Sequence, residues 1–246
     1  MRLHRLLAFS SSALALALCA ASAPLAHADT IAWTTWTSAV AGNASPGSAT
    51  GTVTSALYGT INVTYSGQNS GLLNNYPSWG PSSTFTGGVV GNAPPQANNA
   101  IQIEGGQTYN ETITFSTPVA DPIFAIWSLG AGGTPAYFDF SAADPFNVLG
   151  GGPSNEYGGS GLVKSGTSIY GSEGNGIVQF IGTYSTITFT TPDYEGYYAL
   201  TFGEDDTLTS SPPPAGPVPE PATLSLLGLG LAALPFARSR FARSHA

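Results

Sequence analysis

The chain has 246 residues, of which only 8% are charged, against about a quarter in an ordinary soluble protein. All three His and the only Cys lie in the terminal segments, so residues 29–211 hold no His, Cys or Met, and Lys164 is their single basic side chain against 13 acids, a formal charge of −12. Those absences exclude Ser-His-Asp and Cys-His nucleophile systems, Cys/His zinc sites and disulfides. One cation also leaves almost no counterion release on a phosphate backbone, which excludes nucleic acid as a partner.

Residues 1–28 read as a secretory signal peptide. Arg2 and Arg5 form the basic start, Leu14 to Ala21 the apolar centre, and Ala26-His27-Ala28 a small-x-small cleavage site before Asp29. Export by the Sec pathway is the expectation. The apolar run is too short, and lacks the flank, for a retained span. Cys19 does not make it a lipoprotein signal, because Leu18 stands where a small residue is needed.

Residues 29–210 read as one all-β domain. Ile61, Val63 and Tyr65 alternate with polar residues, as do Ile101 and Ile103, Ile113 and Phe115, Val178 and Phe180, Ile187 and Phe189, and Tyr198, Leu200 and Phe202. Period-2 alternation places one apolar face inward and one polar face toward water. Pro122 to Leu129 is nearly continuous in apolar residues, as a central strand covered on both sides would be. About a dozen strands are expected, enough for two packed sheets in a jelly-roll-like β-sandwich.

Two long connections interrupt the pattern. Gly67 to Pro95 is rich in Asn, Ser, Gly and Pro and carries Tyr76 and Trp79; Gly150 to Gly161 carries Tyr157. Tyr109 to Pro118 and Tyr184 to Pro192 echo each other around Thr-Ile-Thr-Phe, each followed by an apolar strand. Two related strand pairs and plain convergence on a good strand sequence explain this echo equally well.

Carboxylates are the remaining acid-base groups, and a glycosidase needs two of them across the scissile bond. Glu104 with Glu111, Asp139 with Asp144, and Glu173 or Glu195 with Asp193 are the available pairs. No Arg or His stands by to tune them, so the domain is expected not to be an enzyme. No cofactor is expected beyond calcium, a hard cation that Glu204, Asp205 and Asp206 could bind at the domain's end. Tyr76, Trp79 and Tyr157, ring-bearing residues in loops beside Asn, Ser and Gly, are the candidate sugar contacts.

Residues 211–218 form a Pro-rich linker, and 219–246 a tail of three parts. Pro219-Glu220-Pro221 comes first, then the apolar run Ala222 to Ala237, then Arg238, Arg240 and Arg243. The run is expected to form a short hydrophobic helix, about 24 Å long at 1.5 Å per residue, with the arginines on the cytoplasmic side.

The tail, from Val218 to Leu231 and its Arg-rich end, resembles the PEP-CTERM sorting signal of Gram-negative bacteria. That resemblance implies an exosortase as partner, which would read Pro219, Glu220 and Pro221 and cut near them. It implies transient anchoring in the inner membrane and then delivery to the cell surface or beyond. The domain resembles the bodies of some exported PEP-CTERM proteins in Pro122 to Gly130, Pro153 to Gly159 and Glu173-Gly174-Asn175-Gly176. The function expected from these features is structural or adhesive, within exopolysaccharide or biofilm. A polysaccharide-binding module or a carboxylate-dependent glycoside hydrolase is the alternative.

Overall fold

A computed structural model describes residues 28–97 and 100–207. The predicted signal peptide up to His27, with Ala26, lies outside these residues, as do the linker, Pro219-Glu220-Pro221 and the expected tail helix. The chain divides into two units, Met1–Thr207 and Leu208–Ala246, and the described residues all belong to the first. Among them no helix is long and apolar enough to cross a membrane.

The period-2 segments fold as strands. In chain order these are β1 (Ile31–Trp33), β2 (Thr35–Val40), β3 (Gly42–Ser55), β4 (Gly59–Asn69), β5 (Gly71–Leu73), β6 (Ala100–Ile103), β7 (Glu111–Ala120) and β8 (Ile123–Leu129). They continue as β9 (Ala136–Phe140), β10 (Phe146–Gly151), β11 (Ser160–Gly161), β12 (Val163–Ser165), β13 (Ser168–Gly171), β14 (Gly174–Phe180), β15 (Thr183–Thr190) and β16 (Tyr198–Asp205). The sixteen strands among the described residues exceed the dozen expected, partly because β3 is built mostly from Gly, Ser, Ala and Thr and shows almost no apolar alternation.

Two sheets result, and they pack as a β-sandwich. The first has the order β10-β14-β8-β16-β6-β5, with β1 also on β16 and β11 also on β14. The second has the order β12-β13-β9-β15-β7-β4-β3-β2. Among the described residues, the strand pairs are antiparallel except β11 with β14. From β6 to β10 and again from β13 to β16, each strand lies in the other sheet from its predecessor. The two echoing segments become β7 and β15, paired directly through Thr114 with Thr186 and Ile113 with Ile187. The strands that follow them, β8 and β16, pair in the other sheet.

The main core lies between the sheets. Phe124, Phe138, Phe140, Phe146, Phe180, Phe189 and Phe202 meet there, with Phe124 and Phe202 at 4.1 Å between centroids and Phe138 and Phe189 at 5.1 Å. A second apolar cluster covers the outer face of the first sheet: Ile123, Ala125, Trp127, Ile177 and Ala199 from its strands, and Trp79, Phe85 and Val90 from the 74–97 connection. β8 is therefore buried along its whole length, as its continuous apolar run predicts. Near the start of the described residues Asp29 bridges to Val90, next to an exposed Ala28.

Candidate functional site

The site grows from an irregularity in β8. Opposite β14 the register runs from Gly174 with Leu129 to Gly176 with Ile126, so β8 holds one extra residue there. Ser128 absorbs it with φ at 60°, a conformation that costs a non-glycine residue about 1–3 kcal/mol unless its surroundings enforce it. The bulge breaks strict alternation: Leu129 points into the main core while Trp127 points to the outer cluster.

Asn175, fully buried on β14, holds the bulge. Its Oδ1 accepts from Ser128 N at 2.8 Å, and its Nδ2 donates to the carbonyls of Gly152 at 3.3 Å, Gly158 at 3.1 Å and Glu173 at 2.8 Å. One amide thus ties the 150–161 connection to the sheet. Glu156 ties that connection to the other long one, accepting from Trp127 Nε1 at 3.1 Å and from Ser78 N at 2.8 Å. Asn155 N donates to Gly80 O at 2.8 Å, and Thr84 Oγ1 to Pro153 O at 2.7 Å.

Over Trp127 meet three tyrosines, Tyr76 and Tyr157 from these two connections and Tyr197 from the connection between β15 and β16. Tyr76 meets its ring edge-on at 5.0 Å, Tyr197 edge-on at 5.5 Å, and Tyr157 lies tilted by 33° at 5.4 Å. Tyr157 is 54% exposed, whereas Tyr76 and Tyr197 are half-buried. Burial, with the Tyr157 hydroxyl as hydrogen-bond partner, pushes the Tyr76 phenol up. Such a rim combines ring faces, phenol hydroxyls and the Glu156 carboxylate, the chemistry of a sugar contact.

Of the three rings expected to contact sugar, Tyr76 and Tyr157 are brought together and Trp79 is not. Trp79 is only 2% exposed and packs edge-on against Phe85 at 5.2 Å. It is a core residue inside a loop, because its loop serves as a third layer over the first sheet. Tyr197, Glu156, Asn175 and Ser128 were missed, although Ser128, Glu156 and Asn175 lie within the short segments singled out as resembling other exported bodies.

The carboxylate pairs separate into different roles. Glu111 is fully buried in the sandwich, where it accepts from the Tyr65 hydroxyl, Gln68 N at 2.8 Å and Thr191 Oγ1 at 3.4 Å. Burial pushes it up to about 7 despite those bonds. Glu104 instead accepts from Ser70 Oγ, and Asp139 from Ser168 Oγ. Glu195 accepts from Gly130 N and is pushed up to about 8, by burial first and by the charge of Glu173 second. Glu173 accepts from Ser128 Oγ, beside the bulge.

Glu204 and Asp205 lie within β16 and are buried, and only Asp206 follows the strand. Consecutive strand side chains point to opposite faces, so the three do not converge on a cation. Asp205 Oδ1 accepts from Thr207 N and Oγ1, and Asp206 from Ala56 N. Burial, with Asp206 and Asp205 nearby, pushes Glu204 up to about 7 against the influence of the Ser55 hydroxyl. Among the described residues, no group of three or more His, Cys, Asp or Glu could hold a metal ion. The calcium expectation at these residues therefore has no ligand cluster behind it.

No curated protein and no solved structure matches this chain. Residues 217–240 match the PEP-CTERM protein-sorting motif. The chain therefore carries the sorting signal of an exosortase substrate, the mark of an exported protein directed to the cell surface through an exosortase at the membrane.

Proposed function

We propose that the domain is a non-catalytic, jelly-roll-like module with a structural or adhesive role in the exopolysaccharide matrix, which it contacts through Tyr76, Tyr157 and Tyr197. The observation that carries this reading is the gathering of three tyrosines on Trp127 at the junction of two knitted loops. Loops held on a rigid sheet are where binding residues sit, and rings fixed by packing lose little entropy on contact with a ligand. The alternation of successive strands between sheets supports the jelly-roll reading. In this account the protein leaves by the Sec pathway of a Gram-negative cell, is held briefly in the inner membrane by its tail, and is cut by the exosortase.

Two experiments test it. Retention of the exported protein in gels of the cell's own polysaccharide should drop about tenfold in Tyr157→Ala with Tyr76→Ala, the loss expected when a principal ring contact goes. Unchanged retention would remove the site. Fractionation with mass spectrometry of the mature C-terminus should find the protein shortened near Pro219-Glu220-Pro221 only where the exosortase is present. An unshortened chain in the inner membrane of wild-type cells would sink the sorting route.

The hydrolase reading keeps one specific support, the Glu195 carboxyl, which burial pushes up to about 8 with Glu173 among its neighbours. A carboxylic acid with its pKa raised by burial is what a glycosidase uses as its general acid. Release of reducing ends from the polysaccharide, abolished by Glu195→Gln, would favour it over binding alone.

A further inference from the structure

The outer face of the second sheet, on the opposite side of the sandwich from Trp127, carries its own pattern. Its outward side chains are almost all hydroxyl residues, and the register aligns them. Thr186 pairs with Thr114, Thr114 with Thr64, Thr64 with Thr50 and Thr50 with Ser38, so one row crosses five strands. Thr188, Thr112 and Ser66 begin the adjacent row. Thr186, Thr114, Thr64, Thr50 and Ser38 are all exposed.

The same face bears an aromatic pair. Tyr137 on β9 and Tyr170 on β13 are register partners, half-exposed and stacked at 5.1 Å with 29° between their planes. Next to them Asp139 accepts from Ser168 Oγ and pairs in register with Thr190. Stacked rings at the surface give an apolar platform; the neighbouring rung is Ser168, Asp139 and Thr190, and the Thr188 and Thr186 rows lie further along the strands on the same face.

We propose that this face is a second docking surface, for a neutral β-linked glycan chain lying across the strands. Tyr137 and Tyr170 would stack on sugar rings, and Asp139 with the Thr and Ser rows would exchange hydrogen bonds with sugar hydroxyls. The proposal rests on the polysaccharide reading above and adds a second point of attachment to it. Charge selects the ligand class: Asp139 is the one charged group in this constellation, and an anionic polymer would meet a domain of charge −12 with no cation among these rows. One hydroxyl contact nets only about 0.5–1.5 kcal/mol, so such a surface works by repetition. Strands repeat about every 4.8 Å, close to the length of one sugar in an extended glycan. Neighbouring strands twist by about 20–25°, which defeats a match to a rigid two-dimensional lattice such as ice, while a single flexible chain needs a match in one direction only. Two faces that each hold a glycan would let one module join two chains, with the gain in strength that linkage brings.

The test is affinity electrophoresis of the full chain in gels of hydroxyethyl cellulose, a neutral β-linked glucan, and of alginate, an anionic polyuronate. In a Tyr76→Ala, Tyr157→Ala background, retention by the neutral glucan should persist. Adding Tyr137→Ala with Tyr170→Ala should weaken it about tenfold, and adding Thr64→Val with Thr114→Val about threefold. These positions lie at the surface, so melting curves should stay near that of the background chain. If the background chain is no longer retained at all, this second surface falls and the Trp127 site stands. Retention insensitive to Tyr76 and Tyr157 but lost with Tyr137 and Tyr170 supports this surface and removes the other. Retention by alginate alone, or inhibition of ice growth without glucan retention, overturns the proposal.

Discussion

Strand β8 of the first sheet is buried on both faces, whereas β7 and β15 of the second bury one face and show Thr and Ser on the other. The cover over the first sheet comes from two Gly- and Pro-rich connections, knitted by Glu156 and Asn175 rather than by regular structure. A long polar connection can thus be a structural layer. It must then bring its own apolar side chains, here Trp79, Phe85 and Val90, and satisfy its backbone through a few buried polar groups.

If the two faces differ in this way, mutations should divide along the same line. Trp127→Ala on the covered side should cost about 3–5 kcal/mol, because it empties the centre of the second cluster. Thr64→Val or Thr114→Val on the open side should stay within about 0.5 kcal/mol. Equal effects in urea unfolding would erase the distinction. Asn175→Ala should come next, at about 2–3 kcal/mol, since it strands the buried Ser128 N and takes a donor from the carbonyls of Gly152, Gly158 and Glu173. Limited proteolysis should then cut within 150–161, which it should not do in the wild type.

A smaller effect concerns pH. Glu195, Glu111 and Glu204 have folded values pushed up to about 8, 7 and 7, above the ordinary 4.5. A raised acid binds more protons folded than unfolded. Stability from these groups is therefore fullest below the ordinary carboxylate range and is lost as pH rises through 7 and 8. Melting temperature should fall between pH 5 and pH 9, and Glu195→Gln with Glu204→Gln should flatten that fall. Smallest of all, Tyr157→Ala should change stability by under about 1 kcal/mol, since its ring is more than half in water, while still reducing glycan retention.

Much of the sandwich was legible beforehand. Alternation located β4, β6, β7, β14, β15 and β16, and the unbroken apolar run located β8. β3 was invisible because Gly, Ser and Ala reveal no apolar face, and its place is set by pairing with β4 and β2. Tyr76, Trp79 and Tyr157 read alike as loop rings, yet the structure gathers Tyr76 and Tyr157 on Trp127 and buries Trp79, for a single reason. Whether a loop ring meets water depends on which sheet face the loop folds over, and that contact is remote in sequence.

The amino-acid sequence alone determined what this protein lacks, which strand faces are apolar, and the sorting motif at 217–240. These are local properties: a missing side chain, a period of two, a contiguous signal. Only the tertiary structure decided that Tyr76, Tyr157 and Tyr197 converge on Trp127, that Trp79 does not, and that Thr and Ser from five strands align in a row. Each of those depends on register and on loop closure between distant segments, which composition leaves open and packing resolves.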